Sequence, residues 1–228
     1  MSSTYRLSAL VYGLARMWRA WRVMIPVVVV NALLQALLQW PPFTYGTGWL
    51  TVLTALGSAI VFALSFGALA AAALLVPQGP VRWAQVVGML RSRAAPYAVW
   101  VVVWLVLVWL GTLLTPIGGL VVAALTPFLL FAALDGHRNP IAVDLRVIGR
   151  RFWRWLLTCA IVGAGLVVGS IIGGFTIFFL RPPLGVLIAW LIGGLLAWWV
   201  TTAWALIYRS VMPAAKEASR ESAEAATS

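Results

Sequence analysis

Residues 23–81 read VMIPVVVVNALLQALLQWPPFTYGTGWLTVLTALGSAIVFALSFGALAAAALLVPQGPV, 59 residues without one charged side chain. A helix needs about 20 apolar residues to cross a bilayer core. The run is therefore long enough for two crossings. Pro41-Pro42-Phe43-Thr44-Tyr45-Gly46-Thr47-Gly48 interrupts it near the middle, with the residue types that end helices and form turns.

The same reading extends along the chain. Residues 94–134, 155–180 and 182–208 are also free of charge. Thr115-Pro116-Ile117-Gly118-Gly119 divides the first of these, and Arg181-Pro182-Pro183 separates the other two. The expectation is an all-α polytopic membrane protein with one transmembrane domain over 1–213. Its six spans lie near 23–40, 49–75, 96–114, 117–134, 156–180 and 184–208. A tail over 214–228, rich in Ala, Ser and Glu, reads as disordered and cytoplasmic. The first span follows Arg6, Arg16, Arg19 and Arg22 without a clear small-residue cleavage site. It reads as a retained helix and not as a signal peptide.

Composition supports this frame. The 228 residues are 63% hydrophobic and 9% charged, with a mean hydropathy of +1.01. A soluble domain carries about 25% charged residues. Of the sixteen Lys and Arg residues, fifteen fall on one side of a six-span arrangement, and only Arg181 falls on the other. The positive-inside rule then places both termini in the cytoplasm of a plasma membrane. The net charge of +11 belongs to anionic lipid by this reading, and not to nucleic acid.

Each hairpin is approached through an amphipathic segment. Leu7, Leu10, Val11, Leu14, Trp18 and Trp21 share one helical face; so do Trp83, Val86, Val87 and Leu90. Ile141, Leu145, Ile148, Phe152 and Trp155 form a third, opposite the basic stripe Arg146, Arg150 and Arg154. Such helices lie in the headgroup region, so these three arginines are candidate lipid-headgroup contacts. The chain can be divided into three units of amphipathic helix plus hairpin, near 5–76, 80–134 and 140–209. Common descent of the units and simple recurrence of basic juxtamembrane helices both account for that pattern. Trp18, Trp21, Trp83, Trp153 and Trp155 fit a cytoplasmic aromatic belt, and Trp40 and Trp49 an outer one.

Polar residues inside the spans are few. Asn31, Gln35 and Gln39 fall at i, i+4 and i+8 on the first span. They form a polar stripe that lines a path or bonds a neighbouring helix. Gly165, Gly169 and Gly173 make a GxxxGxxxG run suited to close helix packing. Cys159 is the one cysteine and reads as a packing residue; Asp144 sits where negative charge suits the dipole of its own helix. His137, in Asp135-Gly136-His137-Arg138, reads as a solvated turn residue. No ionisable residue lies inside a span, no metal or cofactor is called for, and no catalytic array is present.

Pro127-Phe128-Leu129-Leu130-Phe131, Asn139-Pro140-Ile141-Ala142-Val143 and Arg150-Arg151-Phe152-Trp153-Arg154-Trp155-Leu156-Leu157 resemble the membrane domain attached to some glycerophosphodiester phosphodiesterases. They also resemble related six-helix bacterial membrane proteins. The resemblance implies fold and membrane association, not phosphodiesterase activity. The function expected is a non-catalytic one in transport, lipid handling or envelope maintenance. The alternative is a permease or substrate-binding membrane subunit of an ATP-driven transporter, with an ATPase as partner.

Overall fold

The computed structural model describes residues 14, 16–39, 48–115, 118–180 and 182–212. The tail over 214–228, the turn at 41–47, Arg181 and most of the first amphipathic segment lie outside the described residues. Among the described residues all regular structure is helical: α1 Trp21–Leu38, α2 Gly48–Leu75, α3 Trp83–Ser92, α4 Ala94–Leu114, α5 Gly118–Leu125, α6 Leu129–Asp135, α7 Pro140–Arg150, α8 Phe152–Phe179 and α9 Pro182–Arg209, with short 3-10 turns at Trp18–Ala20 and Val76–Gln78. Among the described residues, five helices are long and apolar enough to cross a membrane: α1, α2, α4, α8 and α9.

The expected fourth span, 117–134, is not one helix; α5 and α6 divide it at Thr126-Pro127-Phe128. Pro127 has no N–H, and its ring opposes the carbonyl four residues back. It also disfavours helical backbone at Thr126 before it. Hydropathy averaged over the span does not register this, because the leucines, alanines and phenylalanines around Pro127 outweigh it.

The two halves nevertheless continue along α4. Gly111 meets Gly118, Trp104 bonds to Thr126, and the Arg93 guanidinium packs on Gly136. These pairs step in opposite directions along the chain, so α5 and α6 run antiparallel to α4 over its length. At Gly111 a Cβ would lie 2.8 Å from the Gly118 carbonyl oxygen. Only glycine permits that approach of two backbones. At the far end Gly136 has φ +86° and closes α6 with a left-handed residue.

The three other long helices pack around α9, which lies against α8, α1 and α2. The core gathers where α6 meets the second half of α2. Leu129–Leu134 and Gly67–Leu74 are buried on every side. Four consecutive alanines, Ala70–Ala73, let neighbours approach α2 all round. Tyr97 of α4 fits its ring over Gly67 and donates its hydroxyl to the Ala63 carbonyl at 2.7 Å. By contrast, Trp109, Leu114, Phe178 and Phe179 are among the large apolar side chains left exposed at the other ends of α4 and α8. Exposure on that scale suits a surface whose solvent is hydrocarbon.

Helix α7 has three faces. Pro140, Val143, Asp144 and Val147 are buried against the protein. Ile141, Leu145 and, just beyond the helix, Phe152 are exposed and apolar. Arg146 and Arg150 lie on the third face. Of the apolar face read from the sequence, Ile141, Leu145 and Phe152 are exposed, Ile148 is half-buried and Trp155 is buried, and the protein-facing side includes a carboxylate.

Candidate functional site: a broken helix beside an apolar cavity

A helix interrupted inside a bundle leaves carbonyls at one end and N–H groups at the other without partners. Here Thr126 of the break itself and side chains from two other helices supply them, with a third helix holding Thr126 in place. Thr126 Oγ1 donates to the Val122 carbonyl at 2.8 Å, and Trp104 Nε1 donates to Thr126 Oγ1 at 3.0 Å. Trp155 Nε1 donates to the Ala124 carbonyl at 2.8 Å, and Cys159 Sγ lies 3.8 Å from the same oxygen. On the other side of the break, Asp144 Oδ1 accepts from the Phe128 N–H at 2.7 Å.

Asp144 therefore caps a helix that is not its own. Its own helix, α7, is capped by Asn139, whose Oδ1 accepts from the Ala142 N–H at 3.1 Å. The expectation that Asp144 serves the dipole of α7 is corrected accordingly. Asp144 is 2% exposed. Burial pushes its carboxyl up to about 7, against the Phe128 and Leu129 N–H groups, which favour the charged form. Between about pH 4 and 7 the folded chain thus holds a proton that the unfolded chain has released. This group's contribution to stability is full below that window and fades as pH rises through it. Melting temperatures in detergent at about pH 5 and pH 8 check this: the wild-type protein is expected to lose stability on going up, and Asp144→Asn to lose less.

A second polar cluster ties α9 to α6. Arg209 forms two parallel bonds to Asp135, Nη1 to Oδ2 at 3.0 Å and Nη2 to Oδ1 at 2.9 Å. Tyr208 donates its hydroxyl to the same carboxylate at 3.1 Å, and His137 Nε2 lies 3.6 Å from Oδ2. The side chains are 10% and 21% exposed for Arg209 and Asp135, so water screens the pair only in part. Arg209→Ala should cost about 1.5–3 kcal/mol in unfolding free energy. Arg209→Lys should recover only part of that, because an ammonium cannot reproduce the paired geometry.

Beside the break lies a cavity of about 790 Å³. The break and α5 form one wall, with Ala124, Thr126 and Pro127; α8 forms the facing wall, with Cys159, Val162 and Gly163. Leu130, Trp104 and Trp204 also line it. A smaller cavity of about 300 Å³ between α1, α2, α8 and α9 shares Phe66, Val162 and Trp204 with it. No acidic or basic residue lines either cavity.

The residues singled out in the sequence disperse over this framework. Gln35 is fully buried and bonds Ser58 of α2 in both directions: its amide donates to the Ser58 carbonyl, and its Oε1 accepts from the Ser58 hydroxyl. Asn31 is buried too and lines the smaller cavity. Gln39 is half-buried at the end of α1. Gly165 faces Leu196 and Gly173 faces Ala189, both on α9, whereas Gly169 has open space. Arg146 and Arg150 are exposed, and Arg154 is half-buried. Trp104 and Trp190 line cavities; Trp155, expected in an interfacial belt, is buried and bonds the break. Among the described residues, no three of His, Cys, Asp and Glu are placed to hold a metal ion.

Sequence reasoning passed over Trp204, which touches both cavities, and the Asp135–Arg209 pair, whose members are 74 residues apart. No protein-family model matches the chain, and no curated protein or solved structure matches it either.

Proposed function

We propose that the chain is a multi-pass plasma-membrane protein that handles lipid, holding an acyl chain in the cavity beside the broken helix. By this reading α5 and α6 together make the sixth crossing, completing three hairpins. The arginine-bearing ends, with both termini, face the cytoplasm. Irregular backbone at membrane depth is tolerated where it lines a cavity or is buried in protein.

The observation that carries the reading is the cavity itself: about 790 Å³, apolar, and lined by no acidic or basic side chain. Ligand sites commonly occupy about 300–1,000 Å³. In many transporters the ends of broken helices are left free to hold ions or charged groups. Here Asp144, Thr126 and Trp155 occupy those ends, which favours an apolar occupant. Arg146 and Arg150, exposed on α7, suit anionic headgroups at the membrane surface. The resemblance to the membrane domain of glycerophosphodiester phosphodiesterases fits a protein engaged with lipid.

Gly163 lines the cavity and has nothing within 4 Å of where a Cβ would stand. Gly163→Phe should fill the space without disturbing the core. Native mass spectrometry of protein extracted in mild detergent should show bound lipid on the wild-type chain, and at least about tenfold less on Gly163→Phe, equal to roughly 1.4 kcal/mol. Equal lipid occupancy of the two proteins would count against the reading.

A second reading, the membrane subunit of an ATP-driven transporter, draws on α3, which leaves Trp83 and Val87 exposed. An ATPase that co-purifies and is released by Trp83→Ala would favour it.

A further inference from the structure

The lining of the large cavity changes from buried to exposed along α5 and α8. Pro127 and Leu130, beside the break, are buried. Val121 on α5 and Val167 and Ile171 on α8 line the same space, yet they are 49%, 60% and 55% exposed. Residues that face both a cavity and the outside mark its mouth.

Packing accounts for the position of that mouth. α8 packs chiefly on α9, and α5 on α4. α5 and α8 are tied to each other at the break, where Trp155 Nε1 donates to the Ala124 carbonyl and Cys159 Sγ lies 3.8 Å from the same oxygen. Beyond the tie they form facing walls of the cavity. The space between them is a slot, closed at the break and open toward Ile171. Its open end points away from α7, with Arg146 and Arg150, and from Arg93 and Arg209, which stand beside α6.

We infer that this slot is a lateral portal. An acyl chain of a bilayer lipid enters sideways between α5 and α8 from the leaflet opposite the arginine-bearing ends, the outer leaflet in the proposed orientation. Ile171 and Cys159 are about 18 Å apart along α8 at 1.5 Å per residue. The hydrocarbon of one leaflet is about 15 Å thick. One chain therefore fits lengthwise, with its methyl end at Cys159 and the break. No acidic or basic side chain lines the slot, so the headgroup stays at the membrane surface and keeps its hydration. The inference rests on the lipid-handling reading and adds the route and the leaflet of origin.

The test uses the full-length protein with a diazirine-bearing amino acid at position 130, where Leu130 is 4% exposed and lines the cavity. The protein is reconstituted in phosphatidylcholine vesicles. A C-terminal tag captures those vesicles whose arginine-bearing ends face outward. Lipid exchange then confines deuterated phosphatidylcholine to the outer vesicle leaflet, so the mass of the adduct reports the leaflet it came from. Undeuterated adduct should exceed deuterated adduct at least about fivefold. Ile171→Trp should fill the mouth and lower the adduct about fivefold. Ile172→Trp should leave it unchanged, since Ile172 is exposed on the same helix but does not line the cavity. Adduct that is mostly deuterated, adduct divided equally, or an Ile171→Trp protein that crosslinks like wild type would overturn the inference and leave the lipid-handling reading standing. A protein dimer crosslinked at position 130 would also overturn it, giving the mouth to a second copy of the chain. If no lipid adduct forms at all, and Gly163→Phe changes nothing, the lipid-handling reading falls as well.

Discussion

Asp144→Ala is expected to destabilise the protein by about 2–4 kcal/mol, the cost of stranding buried donors at a helix end. The carboxylate accepts the Phe128 N–H at 2.7 Å, and the Leu129 N–H also favours its charged form. Alanine leaves both without an acceptor in a place water does not reach. The effect should be local in origin and broad in consequence. α6 is buried on every side, so loosening its first turn loosens what packs on it. Asp144→Asn keeps an acceptor and should retain most of the stability. Thermal unfolding of the three proteins in one detergent measures this ordering. If Asp144→Ala and Asp144→Asn melt together, then capping is not what the carboxylate contributes.

Gly111→Val should be comparably damaging, at about 3 kcal/mol, the upper range for overpacking a tight contact. A Cβ there would lie 2.8 Å from the Gly118 carbonyl oxygen and 2.9 Å from Val122 Cγ2. The first contact is with backbone, which cannot turn aside as a side chain can. α5 would have to separate from α4, which would draw Thr126 away from Trp104 and so disturb the break. Gly163→Val provides the contrast: it lies in open space and should cost little. Equal losses for Gly111→Val and Gly163→Val would show that the close approach of α4 and α5 is unimportant.

The long elements were legible because each depends on a local property. Charge-free runs and proline- or glycine-bearing interruptions identify α1, α2, α4, α8 and α9 without knowledge of their neighbours. Pro127 also carried a local signal for the break, but the apolar character of 117–134 masked it. What a polar residue does was much less legible. Asn31 and Gln35 share a helix face and a chemistry, yet Gln35 meets Ser58 and Asn31 meets a cavity. Their difference lies in α2 and α9, not in α1. Asp144 stands near the start of α7, where a role in that helix's dipole is the natural reading. Its actual partner lies 16 residues earlier, across a turn. The face Pro140, Val143, Asp144 and Val147 did hold a clue: an acid spaced with buried apolar residues implies a buried partner. The Asp135–Arg209 pair offers no such pattern, since neither residue sits in a motif.

The most direct measurement is photo-crosslinking in native membranes with a diazirine-bearing amino acid at position 130 or 134. Leu130 and Leu134 are both buried on α6, at 4% and 1% exposure, but only Leu130 lines the large cavity. An acyl chain inside the cavity should form a lipid adduct at position 130 and none at position 134. Adduct at neither position, or at both equally, would contradict a lipid held beside the broken helix.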